Sequence, residues 1–591
     1  MSERLAPGIG AKTATRRLAV PLAFAALAVA ASCARAPEPA AADPAPAEPR
    51  PAALELPEGA ERAAESIDVA TLETVVRALS DDAMAGRGPA SDGDVLARQY
   101  VIDVMKTLGL EPGMPGGGWE QPIEMVGITA HPAESWSFGR ADGGERIDLA
   151  WWNDYIASSG VQENEVAIEN AEVVFVGYGI EAPEESWDDF KGADLEGKIL
   201  LMMNNDPDWD PESFAGQRRL YYGRWTYKYE SAARHGAAGA ILIHTTPSAG
   251  YPFQVVQTSW TGEQFELPAG DEPRVRVAAW ATEDAARRLA ALGGHDLDAL
   301  REAARQRDFR PVPLGVSTSL RFTNTLRPGS MTANLLGLLP GRDPELREEL
   351  VVYTAHHDHL GVGEPDDSGD RIYNGARDNA TGVATVLAAA KAFRALPQPP
   401  RRSVLLLIVG AEEQGLLGSQ YYAAHPTVHP GKIAANLNFD SSPIFGAARD
   451  VAVIGRGKSG LEELLEAAAA KQGRRVVDEP FPDKGYYYRS DQFNFAKIGV
   501  PALYIAGGTD FPDRPPEWGR KMEDEWRATR YHQPSDEIYD AWSFDGMVQD
   551  ARLAFWVGLA AAEMDDPPGW KPGDEFEAMR ARMKEEAAAK R

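Results

Sequence analysis

Apolar and polar positions divide the chain into stretches of different period. Residues 70–79 and 94–108 carry apolar side chains at helical spacing, with a Gly- and Pro-rich loop between them. Beyond residue 350, continuous Val, Ile and Leu runs alternate with helical patterns. The predicted strands are 350–355, 403–409, 434–439, 451–454 and 500–505, and the predicted helices are 381–396, 416–424, 460–472 and 544–563. This alternation predicts an α/β fold with a mostly parallel central sheet flanked by helices.

Residues 166–320 have a different character. Short apolar runs at 173–176, 199–201 and 239–243 end in glycines or turns, which is typical of a β-rich segment. His, Cys and carboxylate residues do not cluster there at metal-ligand spacing. We therefore predict an inserted β-rich domain without chemistry of its own. The main domain would then comprise an N-terminal part (61–165) and a principal part (321–565), followed by a charged tail (566–591).

Length, composition and charge indicate a globular protein of more than one domain that does not bind nucleic acid. A chain of 591 residues is too long for one ordinary domain, and 44% hydrophobic with 25% charged residues is globular composition. The formal net charge is −29. A nucleic-acid surface needs basic patches, so we predict no nucleic-acid partner.

The N-terminus predicts export. Residues 1–33 combine a basic start with the apolar run 18–31, which is too short to span a bilayer and is typical of a signal peptide. Small residues before Cys33, the only cysteine, favour a lipoprotein signal with Cys33 lipidated; plain secretory cleavage and twin-arginine export through Arg16-Arg17 are the alternatives. The Pro/Ala-rich residues 34–60 predict a tether. We expect a periplasmic or cell-surface protein that touches the membrane only through Cys33.

Polar side chains follow three of the predicted strands. His356, Glu412-Glu413 and Asp440 each come directly after an apolar run, where α/β sheets form their sites. Buried carboxylates are rare unless paired or metal-bound, so the convergence predicts a binuclear metal site. Asp358 lies two positions after His356, on the same side of an extended chain, and is predicted to hold the other nitrogen of His356.

The motifs TAHHDHLG, NGARDNATG, AEEQG, NFD and YHQPSD resemble those of the co-catalytic zinc exopeptidases, the family of bacterial leucyl aminopeptidases, glutamate carboxypeptidase II and the inactive transferrin receptor. The resemblance covers nearly all of 67–565 and includes a protease-associated domain as the insert. It implies two Zn²⁺ ions, for which Co²⁺ or Mn²⁺ can substitute. The resemblance implies that His356 and Glu413 are ligands of separate ions and that Asp378 is the bridge. It also implies that Asp440 is a ligand of one ion and His532 of the other.

The resemblance also implies that Glu412 is the general base. Adjacent side chains cannot easily serve one metal alike, so one glutamate would ligate while the other faces the attacking water. Two positions depart from the family pattern. Gln492 replaces the usual histidine and is assigned no role, and Arg377 replaces a small or acidic residue before the bridging aspartate. A tyrosine of 486–488 is a candidate donor to the oxyanion.

The predicted function is removal of N-terminal residues from peptides by a zinc aminopeptidase. A carboxypeptidase of the same fold is the nearest rival, although we find no basic motif that would hold a C-terminal carboxylate. Glutaminyl cyclase chemistry is more distant. A non-catalytic binding protein like the transferrin receptor is the rival from another class; it would be marked by lost ligands, whereas all five are present here.

Overall fold

The computed structural model describes residues 53–211 and 213–589. The predicted signal peptide, Cys33 and most of the predicted tether lie outside these residues. Within the described part of the chain, no helix is both long and apolar enough to cross a membrane.

Helices are placed by their caps and apolar faces. The Asp68 carboxylate accepts the Thr71 N–H at 2.8 Å at the start of the second helix, and Ser91 caps the third. The helices are α1 (Ala60–Glu65), α2 (Val69–Leu79), α3 (Asp92–Thr107), α4 (Trp225–Arg234), α5 (Thr246–Ala249), α6 (Phe253–Ser259), α7 (Glu283–Leu292), α8 (Leu297–Ala304), α9 (Thr381–Ala395), α10 (Leu417–Ala424), α11 (Leu461–Lys471), α12 (Gln492–Lys497), α13 (Trp518–Thr529), α14 (Asp545–Glu563) and α15 (Glu577–Ala589).

The strands form one large sheet and two small hairpins. They are β1 (Glu111–Pro112), β2 (Glu120–His131), β3 (Ser135–Arg140), β4 (Arg146–Ala150), β5 (Tyr155–Ser159), β6 (Glu165–Phe175), β7 (Glu181–Ala182), β8 (Trp187–Asp188), β9 (Ile199–Met203), β10 (Gly239–His244), β11 (Glu263–Glu266), β12 (Val277–Thr282), β13 (Val312–Leu339), β14 (Leu350–His356), β15 (Gly361–Val362), β16 (Ile372–Tyr373), β17 (Ser403–Val409), β18 (Ile433–Asn438), β19 (Asp450–Ile454), β20 (Arg475–Asp478) and β21 (Ala502–Gly507).

The centre of the large sheet is parallel. Strand β14 pairs in parallel with β17 on one side and β18 on the other, and β18 pairs in parallel with β21. All seven residues of β14 and of β17 are buried, because helices cover both faces. The predicted α/β fold with a mostly parallel central sheet is thereby confirmed. The carboxyl ends of β14, β17 and β18 lie side by side at one edge.

Helix α9 packs against the central sheet beside these strand ends. It is apolar almost all round, with 12 residues buried, because it lies between α2 and α14 and also contacts β14 and β17. The helix begins at Thr381, directly after the turn that contains Asp378 and Asn379. A rigid, buried helix therefore fixes the position of that turn.

The region around the predicted insert has cores of its own. Side chains alternate along β6, so that Val173 and Phe175 face one core and Val174 and Val176 face another. The first of these cores begins as early as Trp136, and the predicted boundary at residues 165 and 166 falls inside β6. The boundaries of the insert stay a prediction. Strand β13 runs through both regions, pairing with β6 near its start and with β17 at its end.

The predicted charged tail is helical. Helix α15 lies against residues 430–432, where Arg580 donates a hydrogen bond to the Pro430 carbonyl at 3.2 Å. Arg580 and Ala587 are buried, so this helix is docked rather than fully exposed to solvent.

Candidate metal centre

The structure brings the five predicted ligands to one place. His356 ends β14, Asp440 follows β18, and Glu413 follows β17, so that three strand ends supply three of them. Asp378 comes from the turn before α9, and His532 from the loop after α13. The side chains of all five are at least four-fifths buried, with Asp440 the most accessible at 17%.

Asp378 stands between two histidines. Its Oδ1 lies 3.4 Å from His356 Nε2 and its Oδ2 lies 3.3 Å from His532 Nε2. Asp440 Oδ1 is 3.4 Å from His356 Nε2, and Glu413 Oε2 is 3.0 Å from His532 Nε2. Two ligand groups thus share one carboxylate, which is the arrangement of a bridged pair of metal ions.

The donor set fits divalent metal ions. Among the described residues, Nε2 of His356 and Nε2 of His532 are buried atoms without a hydrogen-bond partner. No Lys or Arg of the described chain forms an ion pair with the carboxylates of Asp378, Glu412, Glu413 or Asp440. Imidazole and carboxylate are the ligands that zinc, cobalt and manganese accept. Buried acidic groups without a cation would be costly, so a bound cation is what this arrangement requires.

The charged groups of the site lie close enough together to shift one another's pKa values. Burial alone would lower the pKa of His532, but Glu413 and Asp378 raise it to about 10. Burial likewise opposes the shift at Glu413, yet the neighbouring His532 and His359 lower its pKa to about 2. The pKa of Glu412 is well above its usual range because of burial and the nearby Asp440 and Glu413 carboxylates.

Glu412 lies beside His356, with its Oε2 3.9 Å from His356 Nε2. Together with Asp440 these residues offer ligand atoms within 4.8 Å of one another, as do His356, Asp378 and Glu413. Glu412 is therefore next to the metal positions, whereas Glu413 is the member of the pair that contacts His532.

Asp358 positions the glutamate pair rather than the histidine. Its carboxylate accepts the backbone N–H of Glu412 at 3.0 Å and of Glu413 at 3.2 Å. The predicted contact with His356 differs: Nδ1 of His356 lies 3.2 Å from the Asp358 main-chain carbonyl and 3.8 Å from the carboxylate, beyond hydrogen-bonding range. The carboxylate points to the neighbouring strand end because the two N–H groups after β17 are left free by the end of the strand pairing.

Several supporting residues were not predicted from the sequence. His359 Nδ1 lies 2.7 Å from Glu413 Oε1, and the third histidine of the His356 motif is the signal that could have indicated it. Asp536 accepts the N–H groups of Arg377 and Asp378 at 3.2 and 3.0 Å. Gly375, before this turn, has a φ of +57°, and a Cβ there would lie 2.6 Å from the His359 ring. The Asp378–Asn379 peptide bond is cis.

The N-terminal region also supports the site. Arg87, in the loop between α2 and α3, is fully buried and donates hydrogen bonds to the carbonyls of His357 and Gly375 at 2.8 and 2.9 Å. His357 itself is not among the candidate ligands, and its Nε2 lies 3.1 Å from the Ala333 carbonyl.

The insert reaches the centre through α6. Ser259 Oγ forms a 2.7 Å hydrogen bond with Nδ1 of His532, and Thr258 Oγ1 donates to the His532 carbonyl at 3.3 Å. An outer partner of this kind fixes the tautomer and orientation of a ligating imidazole. The prediction that the insert has no part in the chemistry therefore needs one correction, because a residue of the insert holds a candidate metal ligand.

The remaining predicted positions serve different contacts. Gln492 accepts from Asn438 Nδ2 at 2.9 Å and donates to the Tyr487 carbonyl. Arg377 Nη2 lies 2.8 Å from Glu523. Of the three tyrosines, Tyr487 is packed in a core, whereas Tyr486 and Tyr488 line cavities beside the metal ligands.

Two cavities meet at the centre. The smaller, about 120 Å³, is lined by Asp378, Asp440, Tyr504 and Trp526. The larger, about 450 Å³, lies towards the insert and is lined by Arg224, Trp225 and Trp260. Both include Tyr251, Glu412, Glu413, Arg489 and Tyr531, so both open onto the same carboxylates.

Part of the chain resembles known peptidases in sequence. Residues 334–554 match the sequence profile of Peptidase family M28. Leupeptin-inactivating enzyme 1 of Streptomyces exfoliatus is 28% identical over 199 residues, which are 33% of this chain and 40% of that protein, so the match spans less than half of the relative.

A solved aminopeptidase shares the fold. The aminopeptidase from Aneurinibacillus sp. strain AM-1 superposes with a TM-score of 0.51 at 21% identity, covering 87% of this chain and 97% of that one. A zinc aminopeptidase from Bacillus subtilis gives a TM-score of 0.42 at 18% identity, covering 87% and 100%.

Proposed function

We propose, from the premise that residues 334–554 are a peptidase family M28 domain, that this protein is a metal-dependent aminopeptidase that removes N-terminal residues from peptides. The observation that carries the proposal is Asp378, whose two oxygens face His356 on one side and His532 on the other. A bridging carboxylate between two histidine-containing ligand groups suits a pair of Zn²⁺ ions, with Co²⁺ or Mn²⁺ as substitutes.

His356, Asp378 and Asp440 would hold one ion, and Asp378, Glu413 and His532 the other. When bound, the ions would supply Lewis acidity, polarising the peptide carbonyl and lowering the pKa of an attacking water. Other residues of the chain hold these candidate ligands in position. Glu413 is braced by His359, His532 by Ser259, and the Asp378 turn by Asp536.

Glu412 is the proposed general base. It lies next to His356, has no Lys or Arg partner among the described residues, and is held from its backbone by Asp358. Its carboxylate would take a proton from the attacking water and pass it to the leaving amine. A group with this task needs a pKa nearer neutrality than that of a free glutamate, and burial shifts Glu412 in that direction.

The two cavities support cleavage near a chain end. The smaller cavity has a volume of about 120 Å³ and the larger about 450 Å³, so the two have unequal room for a peptide. A site with a short side and a longer side suits an exopeptidase. The likeness in fold to the aminopeptidase from Aneurinibacillus sp. strain AM-1 supports the N-terminal direction.

The test compares matched peptides with free, N-acetylated or C-amidated ends, using protein without residues 1–33. Chelator-sensitive release of single residues that is blocked by N-acetylation supports the proposal. Release blocked only by C-amidation would assign the protein as a carboxypeptidase instead. Metal binding without release from any peptide would overturn the peptidase assignment and favour a binding protein.

Export to the periplasm or cell surface, with Cys33 lipidated, is part of the proposal. It is supported by the basic start, the apolar run and the Pro/Ala-rich stretch of the N-terminal sequence. The mass of the mature protein tests it: an N-terminal residue other than a lipid-modified Cys33 would argue for simple secretion.

A further inference from the structure

Arg489 lies where the two cavities meet, immediately beside the candidate metal centre. Its guanidinium carbon is 5.2 Å from the Tyr251 ring and 5.1 Å from the Tyr486 ring, and Nη2 donates to the Tyr531 hydroxyl at 3.3 Å. Among the described residues no carboxylate lies within ion-pair distance of it. Three tyrosines therefore hold a cation in place without neutralising it.

Arg224 of the insert lines the larger cavity and, like Arg489, has no ion-pair partner among the described residues. Its Nε is buried without a hydrogen-bond partner, and its guanidinium carbon lies 5.6 Å from the Trp225 ring. No carboxylate of the described chain pairs with it. Burial and the nearby positive charges of Arg489 and Arg219 lower the pKa of Arg224 to about 9.

The other arginines of the smaller cavity behave differently. Arg377 and Arg527 both pair with Glu523, at 2.8 and 3.5 Å. The carboxylates of the metal centre would be neutralised by bound cations, so they do not serve Arg489. Arg489 and Arg224 are half-buried, and no carboxylate among the described residues serves either as a counter-ion. A partly buried cation without a counter-ion favours the binding of an anion.

We propose that Arg489, with Arg224 beside it, binds a carboxylate of the peptide substrate, so that the enzyme prefers peptides with an anionic group next to the bond it cleaves. The inference rests on the proposed function and names its substrate class. A guanidinium matches a carboxylate through paired N–H donors, and the tyrosine rings fix its orientation. Because Arg489 borders both cavities, the carboxylate could belong to an acidic side chain on either side of the bond or to the C-terminus of a short peptide.

Three pairs of peptides distinguish these sources. Glu-Ala-Ala-amide is compared with Gln-Ala-Ala-amide, Ala-Glu-Ala-amide with Ala-Gln-Ala-amide, and Ala-Ala with Ala-Ala-amide, each by kcat/KM in the metal-loaded protein. We expect the anionic member of at least one pair to be favoured by about 10- to 100-fold, the range for a hydrogen-bonded charged pair. The favoured pair identifies the source.

Variants connect the preference to the arginines. Arg489→Met should abolish the preference, measured as the ratio of kcat/KM within each pair, and Arg489→Lys should keep part of it. Arg224→Met provides a second variant if Arg489→Met does not fold. Arg582→Met, on the exposed face of α15, is the matched control and should leave every ratio unchanged.

Metal-dependent release with equal rates within all three pairs, or a preference that survives both Arg489→Met and Arg224→Met, overturns the inference and leaves the proposed function standing. If no peptide is cleaved, calorimetry of the zinc-loaded protein with glutamate and glutamine decides it. Glutamate bound about tenfold or more tighter, with the difference lost in Arg489→Met, supports the anion site without a peptidase. Equal binding overturns it.

Discussion

At the scale of single residues, the candidate ligands are distinct from the proposed general base. Asp378, His356, Asp440, Glu413 and His532 form the two groups, and Glu412 stands beside them. The sequence indicated these residues because each follows a strand or stands in a motif. It did not indicate that Asp358 would hold the Glu412 and Glu413 backbone, because the direction of a carboxylate depends on the neighbouring strand.

Glu412→Gln tests this separation. The amide cannot accept the proton from water, so we expect kcat to fall by about 10²- to 10⁴-fold, the usual contribution of a general base. Glu412 is not assigned as a ligand, so the variant should still bind two metal ions. Metal content is measured alongside kcat, and a variant that loses an ion would show Glu412 to be a ligand.

At the scale of elements, the turn before α9 depends on a loop far along the chain. The Asp536 carboxylate accepts two backbone N–H groups of the turn, and its carbonyl accepts the Ala376 N–H at 2.9 Å. The sequence predicted α9 from its apolar pattern, yet not this contact, because residues 376 and 536 become neighbours only in the folded chain.

We therefore expect Asp536→Ala to lower metal affinity by about 10- to 100-fold, as for other outer partners of metal ligands. The free N–H groups would let the Asp378 turn move. A competition titration with a coloured chelator measures the affinity, and Asp545→Ala, at the exposed start of α14, serves as the control. Unchanged affinity would show that α9 alone holds the turn.

Strand β10 carries a residue that makes the stability of the fold depend on pH. It ends in His244, which is buried with Nε2 3.1 Å from the Tyr251 carbonyl. Burial lowers its pKa to about 4, so the unfolded chain takes up a proton at a higher pH than the folded one. This residue therefore favours folding above about pH 6.5, and its contribution is lost as the pH falls towards 4.

Taking 1.36 kcal/mol per pKa unit, protonation of His244 should lower the free energy of unfolding by about 3 kcal/mol between pH 7 and pH 4. His244→Gln cannot be protonated, so the loss should be smaller in that variant. Urea unfolding of both proteins across this range measures the difference. Parallel pH profiles would mean that His244 is protonated in the folded protein.

At the scale of the whole molecule, the insert and the peptidase domain share the centre. Periodicity predicted a β-rich region and a parallel sheet, because both patterns are local. The hydrogen bond between Ser259 and His532 could not be predicted from the sequence, because no pattern distinguishes Ser259 from other serines in the helices of the insert. The position of Arg489 beside a cavity was equally hidden, although its neighbours in the sequence belong to a recognised motif.

Ser259→Ala is expected to weaken binding of the ion held by His532, again by about 10- to 100-fold. The ion held by His356 and Asp440 should be affected little. Thr258→Val is the matched control, because it removes a neighbouring hydroxyl that contacts the His532 main chain and the Gln254 and Val255 carbonyls but not the imidazole. Two-step metal titrations separate the ions, and equal loss at both steps would point to a general loosening of the fold.

The same bond has a consequence for when the candidate metal centre can form. Its two partners are 273 positions apart, and His532 lies close to the end of the matched residues 334–554. A chain still being synthesised cannot bring them together until His532 has been added. The candidate metal centre is therefore completed only late in the folding of the chain.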